Sequence, residues 1–363
     1  RVAHPKVVPM FSALAHPERQ APPDAQALAW LAELMQQSVA WQASDVHLEP
    51  FEQSLRVRVR RDGRLHEIPS PLSHLREQII SRLKVQARLD IAEKRLPQDG
   101  RIQLTVDDRP VDIRISSMPT LHGEKIVLRL LSGQSQALRL DALGLEAQDA
   151  QRLRDAIHRP HGLVLITGPT GSGKTTTLYS CLQHLNTPAV NIATVEDPTE
   201  MALPGANQVN VNERIGLSFE VALRALLRQD PDSWMGGESR DHATADMAVK
   251  ASQTGHLVLS TLHTNDAPAT LTRLQHMGIA GFHLASSVVL VCAQRLLRRL
   301  CAHCKRPDPL REGFVPVGCA QCLQGYRGRL AIHQVMPISA ALQSLMLEKA
   351  SANALAKQAA KDG

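Results

Sequence analysis

The sequence predicts an α/β fold with a largely parallel sheet, preceded by a smaller α+β domain and followed by a small cysteine-bearing module. Three observations predict it. Short apolar runs at 162–167, 190–195 and 256–261 alternate with helix-length stretches, the pattern of a parallel sheet with crossover helices. Ahead of them, Leu55, Val57 and Val59 alternate with Arg56, Arg58 and Arg60, the period of a half-buried strand. Behind them lie two C-x2-C pairs.

Taken in order, residues 1–23 hold five prolines and read as a linker; beginning at Arg1, the chain reads as a fragment. Asp24 is a good helix N-cap, and Leu28, Leu31, Met35 and Val39 follow at helical spacing as one buried face. The strand at 55–60 ends in the turn signal Asp62-Gly63. A second helix fits 73–90, capped by Ser73, with Leu75, Ile79 and Leu83 on one face. Strands fit 101–106, 111–115 and 125–130, which closes a small α+β domain over 24–134. Residues 131–141, with the polar run Ser132–Gln136, read as a hinge. The α/β domain is expected over 135–296; within it, Ser218 caps an amphipathic helix bearing Phe219, Ala222, Leu223, Leu226 and Leu227. Residues 297–363 carry the cysteine pairs and an alanine-rich helical tail.

Composition removes several function classes. Aromatic residues are 3% of the 363, which argues against recognising nucleic acid by base stacking and against an aromatic-girdled barrel. No apolar run approaches the roughly 20 residues that cross a bilayer. Six cysteines are too few for a secreted disulfide scaffold. The leader lacks the apolar core of a signal peptide, so a reducing cytoplasm is the expected compartment. A net charge of +6 and a pI near 9.1 admit an acidic partner without choosing among nucleotide, nucleic acid and membrane surface.

The sharpest motif is Gly168-Pro169-Thr170-Gly171-Ser172-Gly173-Lys174-Thr175, a G-x-x-x-x-G-K-[ST] loop between the apolar run 163–166 and a helix from Thr175 to Leu185. Glycines let successive N–H groups converge on phosphate oxygens, and the helix N-terminus adds positive charge. Lys174 is expected on the β- and γ-phosphates of ATP and the Thr175 hydroxyl on magnesium, with Thr176 completing the binding set. The alternative is a glycine-rich turn that matches by chance, which the strand and helix context disfavours. In a parallel sheet, later strands should deliver acids to the same edge. Glu196-Asp197-Pro198-Thr199-Glu200 follows one such strand, Glu238 closes a second, and the stretch from Thr254 to Asn265 is a third with His256 and His263 at its two ends. Each alone reads as surface acid or packed histidine; their order after a phosphate loop gives them weight.

From Ser44 to about Met336 the sequence resembles the secretion ATPases that drive type II secretion and type IV pilus assembly. Ser44–Pro50 and Arg95–Arg101 resemble signatures of the domain ahead of the motor, Glu196–Glu200 the family's Asp box, Leu227–Asp241 its Walker B segment and Gly255–Asn265 its His box. The resemblance implies a RecA-like P-loop ATPase domain behind a PAS-like α+β domain. Glu200 would be the general base, Glu238 a magnesium ligand, and His256 and His263 reporters of the γ-phosphate. Arg101 and Arg114 would close on the phosphates; without the family they read equally well as a solvated strand face. It further implies a homo-hexamer and an inner-membrane platform protein, with a membrane docking protein as a further partner. The location it implies is cytoplasmic, peripheral to the inner membrane through partners. DNA translocation is the least favoured alternative.

One stretch departs from the family: Ser233-Trp234-Met235-Gly236-Gly237 stands where the family has an aliphatic strand. Interior glycine weakens a strand, so a weakly or non-hydrolysing nucleotide-binding scaffold of the same machinery is the runner-up. Cys301, Cys304, Cys319 and Cys322 have close to structural-zinc spacing, the alternative being reduced or redox-active pairs. In the family such a module marks assembly and secretion members. Cys181 and Cys292 read as core residues in helical segments. Arg295, Arg298, Arg299, Lys305 and Arg306 form either an acidic-partner surface or a solvated basic one.

Overall fold

The computed structural model describes residues 22–70, 73–131, 138–238 and 241–363. Most of the proline-rich leader and the Ser132–Gln136 hinge therefore lie outside the described residues. The chain divides into two compact units, one of residues 1–134 with 298–329, the other of 135–297 with 330–363.

In the first unit, α1 spans Pro23–Ala40. Asp24 does not cap it, because Pro23 already occupies the first helical position, where its missing N–H costs nothing. Asp24 sits in the first turn, where its charge complements the helix dipole. The buried face is Ala27, Trp30, Leu31, Leu34 and Met35, whereas Leu28 is 40% exposed. Three strands follow, β1 (Asp45–Pro50), β2 (Leu55–Arg61) and β3 (Arg64–Ile68). Asp62 and Gly63 both take positive φ, which is the hairpin turn expected between β2 and β3. Helix α2 is Arg76–Gln86, shorter than 73–90. Ser73–Leu75 is a separate 3-10 turn, and Arg88 at φ 57° ends α2 while Leu89 N–H donates back to Lys84 O.

Strands β4 (Gln98–Val106), β5 (Arg109–Thr120) and β6 (Gly123–Leu131) complete an antiparallel sheet in the order β3-β2-β1-β6-β5-β4. Val46, Leu48, Val57, Val59, Ile113, Ile115, Ile126 and Leu128 bury one face with α1 and α2. The alternate residues make the other face ionic: Asp45 pairs with Arg60 and Arg129, and Glu49 with Arg56, Arg58 and Lys125.

The second unit runs α3 (Ala147–Ile157), β7 (Gly162–Thr167), α4 (Lys174–Leu185), β8 (Ile192–Glu196), β9 (Asn207–Asn210), α5 (Phe219–Leu226), β10 (Ser233–Glu238), α6 (His242–Gln253), β11 (Leu257–Leu262), α7 (Ala267–His276) and α8 (Gly281–Ser287). As expected, Ser218 caps α5 by accepting from Val221 N–H. Strand β12 (Val288–Leu300) then leads to the cysteine segment with β13 (Arg306–Pro307) and β14 (Phe314–Val315). β15 (Tyr326–Pro337), α9 (Ala340–Leu347) and α10 (Ala352–Asp362) return the chain to the second unit.

The sheet order is β15-β12-β7-β11-β10-β8-β9, parallel from β12 to β9. It is a mixed α/β fold whose central strands β7, β8 and β11 are buried. Along β7, Leu163 and Leu165 enter one core and Val164 and Ile166 the other, which explains its unbroken apolar run. Cys292 lies in β12, not in a helix; strand β12 is buried beside β7, so an apolar run there is also explained by the sheet. Among the described residues, no helix is long and apolar enough to cross a membrane.

Candidate functional site

The phosphate loop leaves β7, whose six residues are all buried, and enters α4 at Lys174. Gly168, Gly171 and Gly173 take φ of 146°, 76° and 90°, backbone that side chains rarely adopt. A side chain at Gly168 would run into the Gln294 carbonyl oxygen and the Ser172 hydroxyl. Lys174 Nζ donates to the carbonyls of Gly168 at 2.9 Å and Pro169 at 3.2 Å, so its charge lies over the loop. Ser172 Oγ is buried without a hydrogen-bond partner. A curled glycine backbone, a helix N-terminus, a lysine and an unpartnered hydroxyl fit a phosphate chain.

The loop is held from beneath by a residue that sequence reasoning missed. Gln294 on β12 is 3% exposed, donates to Ser172 O at 2.7 Å and accepts from Thr177 Oγ1 at 2.8 Å. The available signal was one amide at the end of the apolar run 288–293.

Parallel pairing puts the C-terminal ends of β7, β8, β10 and β11 along one sheet edge. Glu200 lies in the loop beyond β8, Glu238 closes β10, and His263 follows β11 directly. Thr264 anchors the His263 segment, its N–H donating to Thr167 Oγ1 at 3.2 Å and its hydroxyl touching those of Thr167 and Thr270. His256 stands at the other end of β11, where its carbonyl accepts from Gly162 N–H at 3.1 Å. A strand length of about 20 Å therefore separates it from the phosphate edge, and its Nδ1 lies 3.1 Å from Ala251 O. Of the two histidines expected to report on a phosphate, His263 therefore lies at the phosphate-loop end of β11 and His256 at the opposite end. Arg101 and Arg114 face each other directly across β4 and β5 on the ionic face of the first unit's sheet.

A family model described as Type II/IV secretion system protein matches residues 22–363. The chain belongs to that family. It is 49% identical over 356 residues to the type IV pilus assembly ATPase PilB of Acinetobacter baylyi, covering 93% of this chain and 62% of that one. It is 47% identical over 350 residues to the type II secretion system ATPase E of Vibrio cholerae, covering 92% of this chain and 70% of that one. The solved pilus retraction motor PilT with bound ADP matches with a TM-score of 0.62 at 26% identity, over 88% of this chain and 86% of that one. The chain spans less than two thirds of the length of the pilus assembly relative.

Within this secretion family chain, the unusual strand β10 is internally consistent. Trp234 is 1% exposed and lies opposite the small Ala193 of β8. A methyl at Gly236 would come within 2.8 Å of the Trp234 ring, so the glycine makes the space that the indole fills. Gly236 and Gly237 also carry a β-bulge: Met235 pairs with Leu259, yet Glu238 pairs with Thr261. The glycines are thus a packing and register device, and the observation that suggested a crippled strand loses its force.

The four module cysteines converge, with sulfurs 3.9, 3.6 and 3.7 Å apart for Cys301–Cys319, Cys304–Cys322 and Cys319–Cys322. Zinc with bonds of about 2.3 Å needs tetrahedral edges of about 3.8 Å, so the residues fit that metal. Backbone N–H groups of Gly318 and Cys319 donate to Cys304 and Cys322 Sγ, which stabilises thiolate charge. Cys181 and Cys292 are buried and apart from this cluster; burial raises both thiols, Cys292 to about 12.

Proposed function

We propose that the chain is the motor part of an ATP-hydrolysing enzyme that powers type IV pilus assembly or type II secretion. One observation carries the reading: a glycine loop shaped for phosphates sits at the edge of a parallel sheet where Glu200, Glu238 and His263 also emerge. In this reading Gly168–Thr176 bind the ATP phosphates, and Glu200 takes the proton from a water that attacks the γ-phosphorus as the β–γ bridge breaks. Lys174 and His263 meet the developing charge, and Arg101 and Arg114 close on it. Magnesium, held by Thr175 and Glu238, would neutralise the phosphate oxygens.

The second unit fits a RecA-like core. The first unit, an antiparallel sheet with two helices on one face, fits a PAS-like module. Zinc at the four cysteines would be structural, since all four positions are filled by protein. By analogy with its relatives, the chain would work as a hexamer on the cytoplasmic side of the inner membrane, against a platform protein and a membrane docking protein. Phosphate release by the full-length protein tests the reading: Lys174→Ala should lose nucleotide binding, and Glu200→Gln should keep binding while turnover falls by about 10² or more. Equal turnover in the wild type and Glu200→Gln overturns it.

A further inference from the structure

Tyr179 lies on the second turn of α4, the helix that leaves the phosphate loop, and is fully buried. Its hydroxyl donates at 2.6 Å to Glu196 Oε2, at the end of β8. Glu196 is 5% exposed, and its Oε1 accepts from Thr194 Oγ1 at 2.6 Å and from Gln208 Nε2 at 3.4 Å. Gln208 is the hub. Its Nε2 also donates to Tyr179 Oη at 3.1 Å and to Met201 O at 3.0 Å, and its Oε1 accepts from Leu203 N–H at 2.7 Å. Two residues along β9, Asn210 Oδ1 accepts from Thr199 N–H at 2.7 Å.

Thr199 and Met201 are the two neighbours of Glu200. Both are therefore tied through their backbone to side chains of β9, and β9 is tied through Gln208, Tyr179 and Glu196 to the phosphate-loop helix. A buried carboxylate and hydroxyl are expensive unless fully hydrogen-bonded, and a satisfied polar network fixes geometry more sharply than apolar packing. Burial and the bond to Glu196 raise the Tyr179 hydroxyl far above its ordinary value, so it remains a donor at any working pH.

We propose that Tyr179, Glu196, Gln208 and Asn210 are positioning residues that hold Glu200 in register with the phosphate loop. The proposal rests on Glu200 being the general base of the reading above. Asn210 is exposed on an edge strand, so its replacement spares the core.

The test uses the full-length protein, with steady-state ATP hydrolysis and binding of a non-hydrolysable ATP analogue. Asn210→Ala and Gln208→Ala should each lower kcat on the order of tenfold, since small misplacements of a reacting group are costly. KM and analogue binding should stay within about twofold. Asn210→Asp keeps the acceptor oxygen and should restore the rate. In a Glu200→Gln background, Asn210→Ala should lower turnover no further. If Glu200→Gln is inactive but both alanine variants hydrolyse ATP at the wild-type rate, positioning is overturned and the base assignment stands. If Glu200→Gln turns over normally, the base assignment falls and the positioning role with it. Parallel loss of analogue binding and melting temperature in Asn210→Ala shows a structural role only, and also overturns the proposal.

Discussion

The two histidines of the third motif show how much one residue's place on a strand decides. His263 follows the C-terminal end of β11 and His256 precedes its N-terminal end, a strand length away from the phosphate loop. His263→Ala should lower kcat for ATP hydrolysis on the order of tenfold or more, whereas His256→Ala should shift melting temperature with little change in kcat. Equal kinetic losses would contradict the register. In sequence the two look equivalent, because spacing along one segment says nothing about which end meets a neighbouring loop. The phosphate loop was legible because its eight residues act together locally. Gln294, Gln208 and Tyr179 were not, because a buried amide or phenol acquires meaning only from partners distant in sequence, as Gln294 does from Ser172 and Thr177.

Among elements, β10 is the most informative. Its Trp-x-Gly pattern reads from sequence as a weakened strand, but the indole occupies the space that a Gly236 side chain would take. Gly236→Ala should overpack the site and cost about 1–3 kcal/mol, and Trp234→Leu in the same chain should recover much of that loss. Thermal unfolding of the two single variants and the double variant measures the coupling. Strands β1 and β3 escaped the sequence reading for a related reason. β1 carries Asp45, His47 and Glu49 on one face, so charge masks its alternation. That ionic face has its own pH dependence. Burial would raise the Glu49 carboxyl, but hydrogen bonds from Arg58 and Lys125 outweigh it and hold it at about 2. Folding depresses this pKa, so the stabilisation is complete above the unfolded value near 4.5 and is lost as pH falls from there towards 2. The acid unfolding curve should show this loss, and Glu49→Gln should flatten it.

For the whole molecule, the proposed zinc at the cysteine module would join metal content to stability. Metal analysis should find about one zinc per chain. Chelation should lower the melting temperature of the unit that contains residues 298–329 while leaving the phosphate loop able to bind nucleotide, because that loop belongs to the other unit. Cys319→Ser should reproduce the effect; far less than one zinc per chain would remove the basis for it.

β12 carries the chain out of the second unit and β15 carries it back, so the first unit is made of two stretches of sequence with the strands β7 to β11 of the second unit encoded between them. During synthesis, the ribosome has to complete those strands before the last part of the first unit exists. At about 5–20 residues per second the interval is about 10–40 s. The first unit, although it begins earlier, is therefore completed only after those strands, and residues 330–363 of the second unit follow it. Cys301 to Cys322 emerge after the phosphate loop has been made, so a metal taken up by them would be loaded late in the biogenesis of this protein.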